Sequence, residues 1–201
     1  MALLLSLVPP PWHLRHSRAV AEIAGWLALR AERAGIGIDR RLVEAAALLH
    51  DVDKLSAVKP EVAGQRHGEG TAAWLAGRGH AELGPVIAGH PVTRLADDEW
   101  FEKWFSAAGP ESLVVSYADK RAGQRIEPMD DRFASWSRRY PPAERASRVR
   151  GGWTIDTIEQ VQNRSRAIER RVCELAGVRP DQVARLHWTG AALRAARQTD
   201  G

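Results

Sequence analysis

The most apolar segment of the chain lies between residues 42 and 49, where seven of the eight positions are Leu, Val or Ala. A helix without a polar face is buried on every side, so this pattern predicts a buried helix over residues 40–51. The predicted helix ends on His50 and Asp51. Because burying polar groups is costly and a helix C-terminus favours a cation, two interpretations stay open. The pair is half of an interior metal site, or it stands at a helix end that frays into solvent.

Helical periodicity recurs along most of the sequence, and no segment shows a convincing strand alternation. The chain is therefore predicted to be all-α. Gly and Pro separate the segments, and Asp39 is a suitable N-cap for the buried helix. The other predicted helices cover residues 16–34, 67–77, 81–90, 97–107, 111–122 and 131–140, a short helix that ends at Arg150, a long helix over 154–176 and two short helices within 180–197.

Four histidines fall on or at the end of apolar helical stripes: His16, His50, His67 and His90. Asp119 lies inside the apolar run LVVSYADK. If buried separately, each of these side chains would need its own hydrogen-bond partner, whereas one or two shared metal ions would satisfy them together. Imidazole and carboxylate ligands suit Fe, Mn or Zn, with Co, Ni and Mg as further options.

The other histidines are assigned different positions. His13 is the alternative to His16, but it is interpreted as lying off the stripe of Val20, Ile23 and Leu27. His80, in a Gly-Arg-Gly-His turn, is expected on the surface. His187 is expected to be structural.

Composition describes an ordinary globular protein, with 44% hydrophobic and 27% charged residues. The net charge is +4 and the arginines are scattered, which favours a mildly basic surface or phosphate pocket over a nucleic-acid interface. Cys173 is the only cysteine, so no intrachain disulfide is possible and a reducing, cytoplasmic location is expected. The apolar segment ALLLSLV is too short to span a bilayer and is expected to pack on the domain, without membrane association.

Three motifs in this order resemble the HD-domain superfamily of metal-dependent phosphohydrolases. They are HSRAVAEIAGWLA, LLHDVDKL and SYADKRAG, and the segment RHGEGTAAWLAGRGHAELGPVIAGHPV resembles members with two further histidines. The resemblance covers residues 13–122. It implies an HD-domain-like helical bundle over residues 1–125, including an N-terminal segment of residues 1–12, with residues 126–201 as a helical extension packed on it.

Two features separate the chain from familiar branches of the superfamily. In the superfamily, the His-Asp pair that His50 and Asp51 resemble is often followed by Ile-Gly-Lys. Here the pair is followed by Val52, Asp53 and Lys54. The Gly-Tyr-Pro motif of cyclic-dinucleotide phosphodiesterases and the Glu-Asp pair of alarmone hydrolases are missing from the sequence. The sequence therefore does not favour either of these two specialised activities.

The resemblance also implies a ligand set. The first metal ion would be bound by His16, His50, Asp51 and Asp119. Asp51 would bridge to a second ion held by His67 and His90. The alternative is that these last two histidines contact substrate phosphate beside a single ion.

The implied activity is hydrolysis of a phosphoester by metal-activated water, with Asp51 at its centre. The substrate is expected to be a nucleotide or a dinucleoside polyphosphate. Lys54, Lys120 and Arg121 are predicted to meet the phosphate charge. Asp53 or Glu69 is a candidate to supply a proton to the leaving oxygen.

Tryptophans and arginines suggest further roles. Trp26 and Trp74 have the spacing of core residues, whereas Trp100 and Trp104 are predicted to form a lid.

A different class of function is a non-catalytic, metal-containing module that binds a nucleotide or RNA through the arginines of the long C-terminal helix: Arg164, Arg166, Arg170 and Arg171. A homodimer formed through the N-terminal segment and that helix is a third prediction.

Overall fold

The computed structural model of the protein describes residues 1–141 and 153–183. Within these ranges the backbone forms ten α-helices, two 3₁₀ helices (Val52–Lys54 and Val92–Ala96) and one isolated β-bridge, with no strand. The all-α prediction is confirmed. The helices are α1 (Ala2–Ser6), α2 (Pro11–Arg33), α3 (Arg40–Leu49), α4 (Glu69–Ala76), α5 (Leu83–Ile87), α6 (Asp98–Ala107), α7 (Pro110–Lys120), α8 (Met129–Arg139), α9 (Ile155–Ala176) and α10 (Pro180–Val183).

The centre of the fold is a bundle of α2, α3 and α7, which pack against one another. The long helix α9 packs on α2 and α7, and α5 packs on α3 and α7. Apolar side chains such as Ile23, Val43, Val114 and Ile168 are completely buried at these contacts. Because α9 shares this core, its burial fixes the relative positions of α2 and α7, which carry two of the predicted metal ligands.

Local sequence signals explain where several helices begin and end. The side chain of Asp39 accepts a hydrogen bond from Leu42 N at 3.0 Å, which caps α3. Asp97 caps α6 and Thr154 caps α9 in the same way. Pro110 occupies the first turn of α7, where its missing N–H costs nothing.

Helix ends near the predicted site differ from the sequence prediction. Helix α3 ends at Leu49, and Asp51 leads into the 3₁₀ helix. Helix α4 begins only at Glu69, because Gly68 adopts a φ of +85°. A Cβ at Gly68 would lie 2.9 Å from a side-chain carbon of Pro91, so only glycine allows this close approach. His67 and His90 therefore stand on loops, not on helices.

The N-terminal segment packs on the domain as predicted, because Leu4 of α1 is completely buried in the common core. The division into residues 1–125 and 126–201 stays a prediction. The predicted helix that ends at Arg150, the part of 180–197 beyond α10, and His187 lie outside the described residues. Across the described ranges, no helix has both the length and the apolar character needed to cross a membrane.

Candidate metal centre

The structure brings the six predicted ligands to one place between the helices. Their positions are His16 in α2, His50 and Asp51 directly after α3, His67 before α4, His90 after α5, and Asp119 in the last turn of α7. Three overlapping groups of donor atoms lie within 4.8 Å of one another: His16–His50–Asp119, His50–Asp51–His90 and Asp51–Asp53–His67.

One half of the cluster is formed by four donor atoms. His16 Nε2 and His50 Nε2 are 3.1 Å apart. Asp119 Oδ1 lies 3.3 Å from His16 Nε2 and 3.6 Å from His50 Nε2. Asp51 Oδ2 is 3.5 and 3.6 Å from the same two nitrogens. We name this group, His16, His50, Asp51 and Asp119, the first half-site.

The second half-site uses the other oxygen of Asp51. His67 Nε2 and His90 Nε2 are 3.1 Å apart, and they lie 3.2 and 3.3 Å from Asp51 Oδ1. The two oxygens of one buried carboxylate therefore face two different pairs of imidazoles. This is the arrangement expected of a carboxylate that bridges two cations.

Hydrogen bonds to the opposite ring nitrogens fix the tautomers of the four histidines. Nδ1 of His16, His50 and His90 donates to the backbone carbonyls of Gly123, Ala47 and Ile87, each at 2.8 Å. Nδ1 of His67 donates to the Asp53 carboxylate at 2.9 Å. A neutral imidazole with its proton on Nδ1 presents a lone pair at Nε2, the usual metal-binding form.

The donor set fits a cation. Within each half-site, two Nε2 atoms face each other and a carboxylate oxygen, and unprotonated nitrogens at these distances would repel one another and the oxygen. A metal ion would remove this repulsion in both half-sites. Asp51 Oδ1 is buried and has no hydrogen-bond partner among the described residues. Separations of 3.1–3.6 Å between donor atoms suit nitrogen and oxygen ligands that each lie about 2.0–2.2 Å from a shared ion. Imidazole with carboxylate is typical of divalent transition metals.

The electrostatics of the chain favour anionic carboxylates here. Burial alone would raise the pKa of Asp51, but its electrostatic interactions with His50 and Lys54 and the proximity of His67 and His90 lower that pKa well below its ordinary value. The pKa of Asp119 is likewise lowered well below its ordinary value, against burial, by the proximity of His16 and His50. Both carboxylates therefore carry full negative charge at neutral pH.

The two histidines of the second half-site differ in proton affinity. Burial lowers the pKa of His90 to about 4, so His90 is neutral at physiological pH. Burial opposes protonation of His67, yet its hydrogen bonds to Asp51 and Asp53 raise its pKa to about 9. In the chain without a cation, a proton on His67 therefore supplies the positive charge that the carboxylates attract.

Asp53 and Glu69 do not occupy the positions expected of proton donors. Both oxygens of Asp53 accept from His67 Nδ1, and one also accepts from Gly68 N at 2.8 Å. Asp53 therefore orients a ligand. Glu69 forms an ion pair with Arg94. Neither carboxylate lines the pocket over the cluster.

Lys120 and Arg121 are also misplaced in the sequence prediction. Lys120 is completely buried, and its Nζ donates to Ser116 and to the carbonyls of Gly89 and His90. Arg121 is 2% exposed and bonds with Glu169. Neither lines the pocket, so neither is placed to meet substrate phosphate.

Lys54 keeps its predicted position. Its Nζ lies 2.8 Å from Asp51 Oδ2, its side chain is 39% exposed, and it lines a pocket of about 670 Å³ over the cluster. The predicted lid is wrong. Trp100 and Trp104 stack on each other and line a separate pocket, while Trp104 donates to Ser112 Oγ.

The structure distinguishes the two candidate histidines of α2. His16 reaches the cluster, whereas the buried His13 places Nε2 3.1 Å from the backbone carbonyl of Asp51. His13 thus supports the backbone of the bridging ligand. The sequence interpretation missed this role, although His13 is in register with Ser17, Val20 and Ala24, all completely buried.

The remaining assignments are simpler. His80 is exposed, as predicted. Trp74 is buried and Trp26 is partly buried against the core, as their spacing indicates.

A family comparison agrees with the geometry. The family model for the HD domain matches residues 14–122, more than half of the 201-residue chain. The protein therefore belongs to the HD-domain family, within the superfamily of metal-dependent phosphohydrolases. No curated protein and no solved structure matches the sequence.

Proposed function

We propose that this protein is a metal-dependent phosphohydrolase that binds two divalent transition-metal ions and hydrolyses a phosphoester of a nucleotide, including dinucleoside polyphosphates. The observation that carries the proposal is the position of Asp51, whose two oxygens face two separate pairs of imidazole nitrogens at 3.2–3.6 Å. A purely structural cluster would not need two pairs of imidazoles on opposite oxygens of one buried carboxylate, one of which, Oδ1, has no hydrogen-bond partner among the described residues.

The residues would divide between the two ions as follows. His16, His50, Asp51 and Asp119 would hold the first, and Asp51, His67 and His90 the second. Mn, Fe, Zn, Co or Ni fits this donor set, with Mg as a further option. When bound, such ions supply Lewis acidity that polarises phosphoryl oxygens and lowers the pKa of water towards ~7.

The chain itself contributes binding and orientation. The Lys54 ammonium, already paired with Asp51 and open to the pocket, offers a positive charge to a phosphoryl oxygen. Asp53 fixes the ring of His67, and the carbonyls of Gly123, Ala47 and Ile87 fix the other three rings. Hydrolysis forms a bond from a water oxygen to phosphorus and breaks the phosphorus–oxygen bond to the leaving group, whose oxygen takes up a proton from that water.

A nucleotide substrate is supported by the size and lining of the pocket. A volume of about 670 Å³ is in the range of small-molecule sites. Trp12, on the pocket wall, is 43% exposed and offers an aromatic face to a base.

The proposal is tested by measuring activity in the presence of added divalent metal ions. We expect purified protein to release phosphate or nucleotide from a phosphoester panel with Mn, Fe, Co or Ni, and Asp51→Ala to abolish this release. His80→Ala, an exposed histidine outside the cluster, is the matched control. Full activity in Asp51→Ala would contradict the proposal.

The non-catalytic binding module remains the alternative in a different class. Two of the α9 arginines on which this alternative depends have partners within the chain. Arg164 contacts Leu95 and Asp98, and Arg166 contacts Asp130. These contacts support an intramolecular role for both arginines. Metal uptake without turnover of any phosphoester would favour the module instead.

Location and assembly stay predictions. We propose a cytoplasmic location, since Cys173 is unpaired and buried. We also propose that neither nucleic acid nor a membrane is a partner. The homodimer predicted through the N-terminal segment and α9 is tested by gel filtration.

A further inference from the structure

The pocket over the metal cluster has walls from two parts of the chain. The family match ends at residue 122 and includes His16, Asp51, His67 and Asp119 on the metal side. The opposite wall comes from α8, outside that match, and includes Arg132. Substrate contacts made by α8 are therefore specific to this chain's extension.

Arg132 is a buried cation with too few partners. It is 8% exposed, and its Nε is buried without a hydrogen-bond partner among the described residues. The one ion pair that it makes within those residues joins Nη1 to Glu127 Oε2 at 3.6 Å, beyond hydrogen-bond distance. By contrast, the buried Arg121 has acceptors from four residues. The Arg132 guanidinium also lies 5.7 Å from the centroid of the Trp136 ring. This contact supplies no acceptor for Nε, and an unpaired buried donor on a charged group is costly unless an anion completes it.

The charges around Arg132 favour a phosphate as that anion. Arg139 lies seven residues further along α8 on the same face, and Arg125 and Arg138 also line the pocket with exposed side chains. Asp51 and Asp119 would be neutralised by metal ions. On the opposite wall the four arginines outnumber the two carboxylates, Glu127 and Asp131, so that wall is electropositive. A guanidinium binds phosphate through parallel hydrogen bonds, and a planar donor held by burial loses little freedom in doing so.

We propose that Arg132 binds a second phosphoryl group of the substrate, while the reacting phosphoryl group lies at the metal cluster. The pocket then selects a nucleoside di- or polyphosphate over a monophosphate. This inference rests on the proposed function, because it assumes that a phosphoester enters the same pocket. Glu127 competes with the substrate for Arg132 in the empty pocket.

The test compares binding of α,β-methylene-ADP, which resists hydrolysis between its phosphates, with binding of AMP. Calorimetry on the metal-loaded protein should give at least tenfold tighter binding of α,β-methylene-ADP. Arg132→Gln should remove most of this preference and leave AMP affinity within about twofold. Arg40→Gln, which removes an exposed charge outside the pocket, should keep the preference. An unchanged preference in Arg132→Gln, or none in the wild type, overturns the inference.

A second variant, at Glu127, tests the same inference if Arg132→Gln does not fold. Glu127→Gln removes the competing carboxylate at a partly exposed position, so it should bind α,β-methylene-ADP several-fold more tightly and AMP unchanged. Unaltered α,β-methylene-ADP binding in this variant would also overturn the inference. Absence of metal-dependent turnover on every phosphoester would contradict the proposed function, but the binding comparison would still decide the role of Arg132.

Discussion

Both carboxylate oxygens of Asp53 lie 2.9 Å from Nδ1 of His67. Asp53 follows Asp51 by two residues, so Asp51, at the start of one short 3₁₀ helix, and Asp53, within it, both face the cluster of histidines, and Asp53 orients the His67 ring. The hydrogen bond to His67 therefore explains why the sequence Val52-Asp53-Lys54 carries an additional carboxylate at Asp53. It sets which nitrogen of His67 faces the cluster.

Asp53→Asn should weaken metal binding at the second half-site. Loss of the anionic acceptor allows the His67 ring to rotate or change tautomer, and such changes commonly cost about 10–100-fold in metal affinity. Equilibrium dialysis with Mn would measure the loss. Asp130→Asn, a surface change on α8, is the control. Wild-type affinity in Asp53→Asn would show that this hydrogen bond does not matter.

Metal stoichiometry should separate the two half-sites. The wild type is expected to bind two ions, and His90→Gln and Asp119→Asn one each. Asp51→Asn should reduce binding at both half-sites, because its two oxygens serve both. Metal analysis after gel filtration gives the count, with His80→Gln as the unaffected control. A single ion in the wild type that survives His90→Gln would instead favour phosphate contact by His67 and His90.

Metal affinity at the second half-site should rise with pH. The pKa of His67 in the cation-free chain is raised above the ordinary 6.5 to about 9, so the ring is protonated at neutral pH. Binding an ion must release that proton, and apparent affinity should increase up to about tenfold per pH unit below pH 9. Titrations with Mn between pH 6.5 and 8 would measure this slope in Asp119→Asn, which isolates the second half-site. A flat profile would contradict it.

Lys54 and Lys120 should respond to substitution in opposite ways. Lys54→Met removes a pocket cation and should raise KM by about tenfold or more with little change in unfolding free energy. Lys120→Met removes the donor to the buried His90 carbonyl, whereas the Gly89 carbonyl keeps its hydrogen bond from Ser116 Oγ. The unpaired carbonyl should cost about 1–3 kcal/mol of stability. Urea unfolding and steady-state kinetics distinguish the two. A KM effect without destabilisation in Lys120→Met would restore its predicted phosphate role.

Helix geometry explains why Asp119 lies at the candidate metal centre whereas the next two residues do not. Successive helical residues are rotated by about 100°, so the side chains that follow an inward ligand point elsewhere. Lys120 therefore reaches the carbonyls behind His90, and Arg121 faces α9. Proximity in sequence was the only basis for assigning them to phosphate.

The ligand set was predictable because polar residues within apolar stripes require an interior partner. The role of His13 could also have been found, since it lies four and seven residues before Ser17 and Val20 on a buried face. Arg132 left no comparable local signal. Its position over the cluster depends on how α8 packs back towards residues such as His16 and Asp51, which lie more than 80 positions earlier in the chain. No local pattern in the sequence distinguishes Arg132 from the other scattered arginines.

The buried pair of Arg121 and Glu169 should hold α9 on the HD domain. Arg121 Nη1 lies 3.2 Å from Glu169 Oε1 and 2.6 Å from the hydroxyl of Tyr117, which itself donates to the same carboxylate oxygen. Arg121→Met would leave Glu169 as a buried charge that, within residues 1–141 and 153–183, keeps the Tyr117 hydroxyl as its hydrogen-bond partner. The expected cost is about 3–5 kcal/mol of unfolding free energy.

Urea unfolding of Arg121→Met, Glu169→Leu and the double variant would measure the coupling. The double variant should recover much of the loss, because it removes both charges from the interior. Arg166→Met breaks an exposed pair with Asp130 and should change stability by about 1 kcal/mol or less. A similarly small effect in Arg121→Met would mean that packing alone, without this ion pair, attaches α9 to the helices that carry His16 and Asp119.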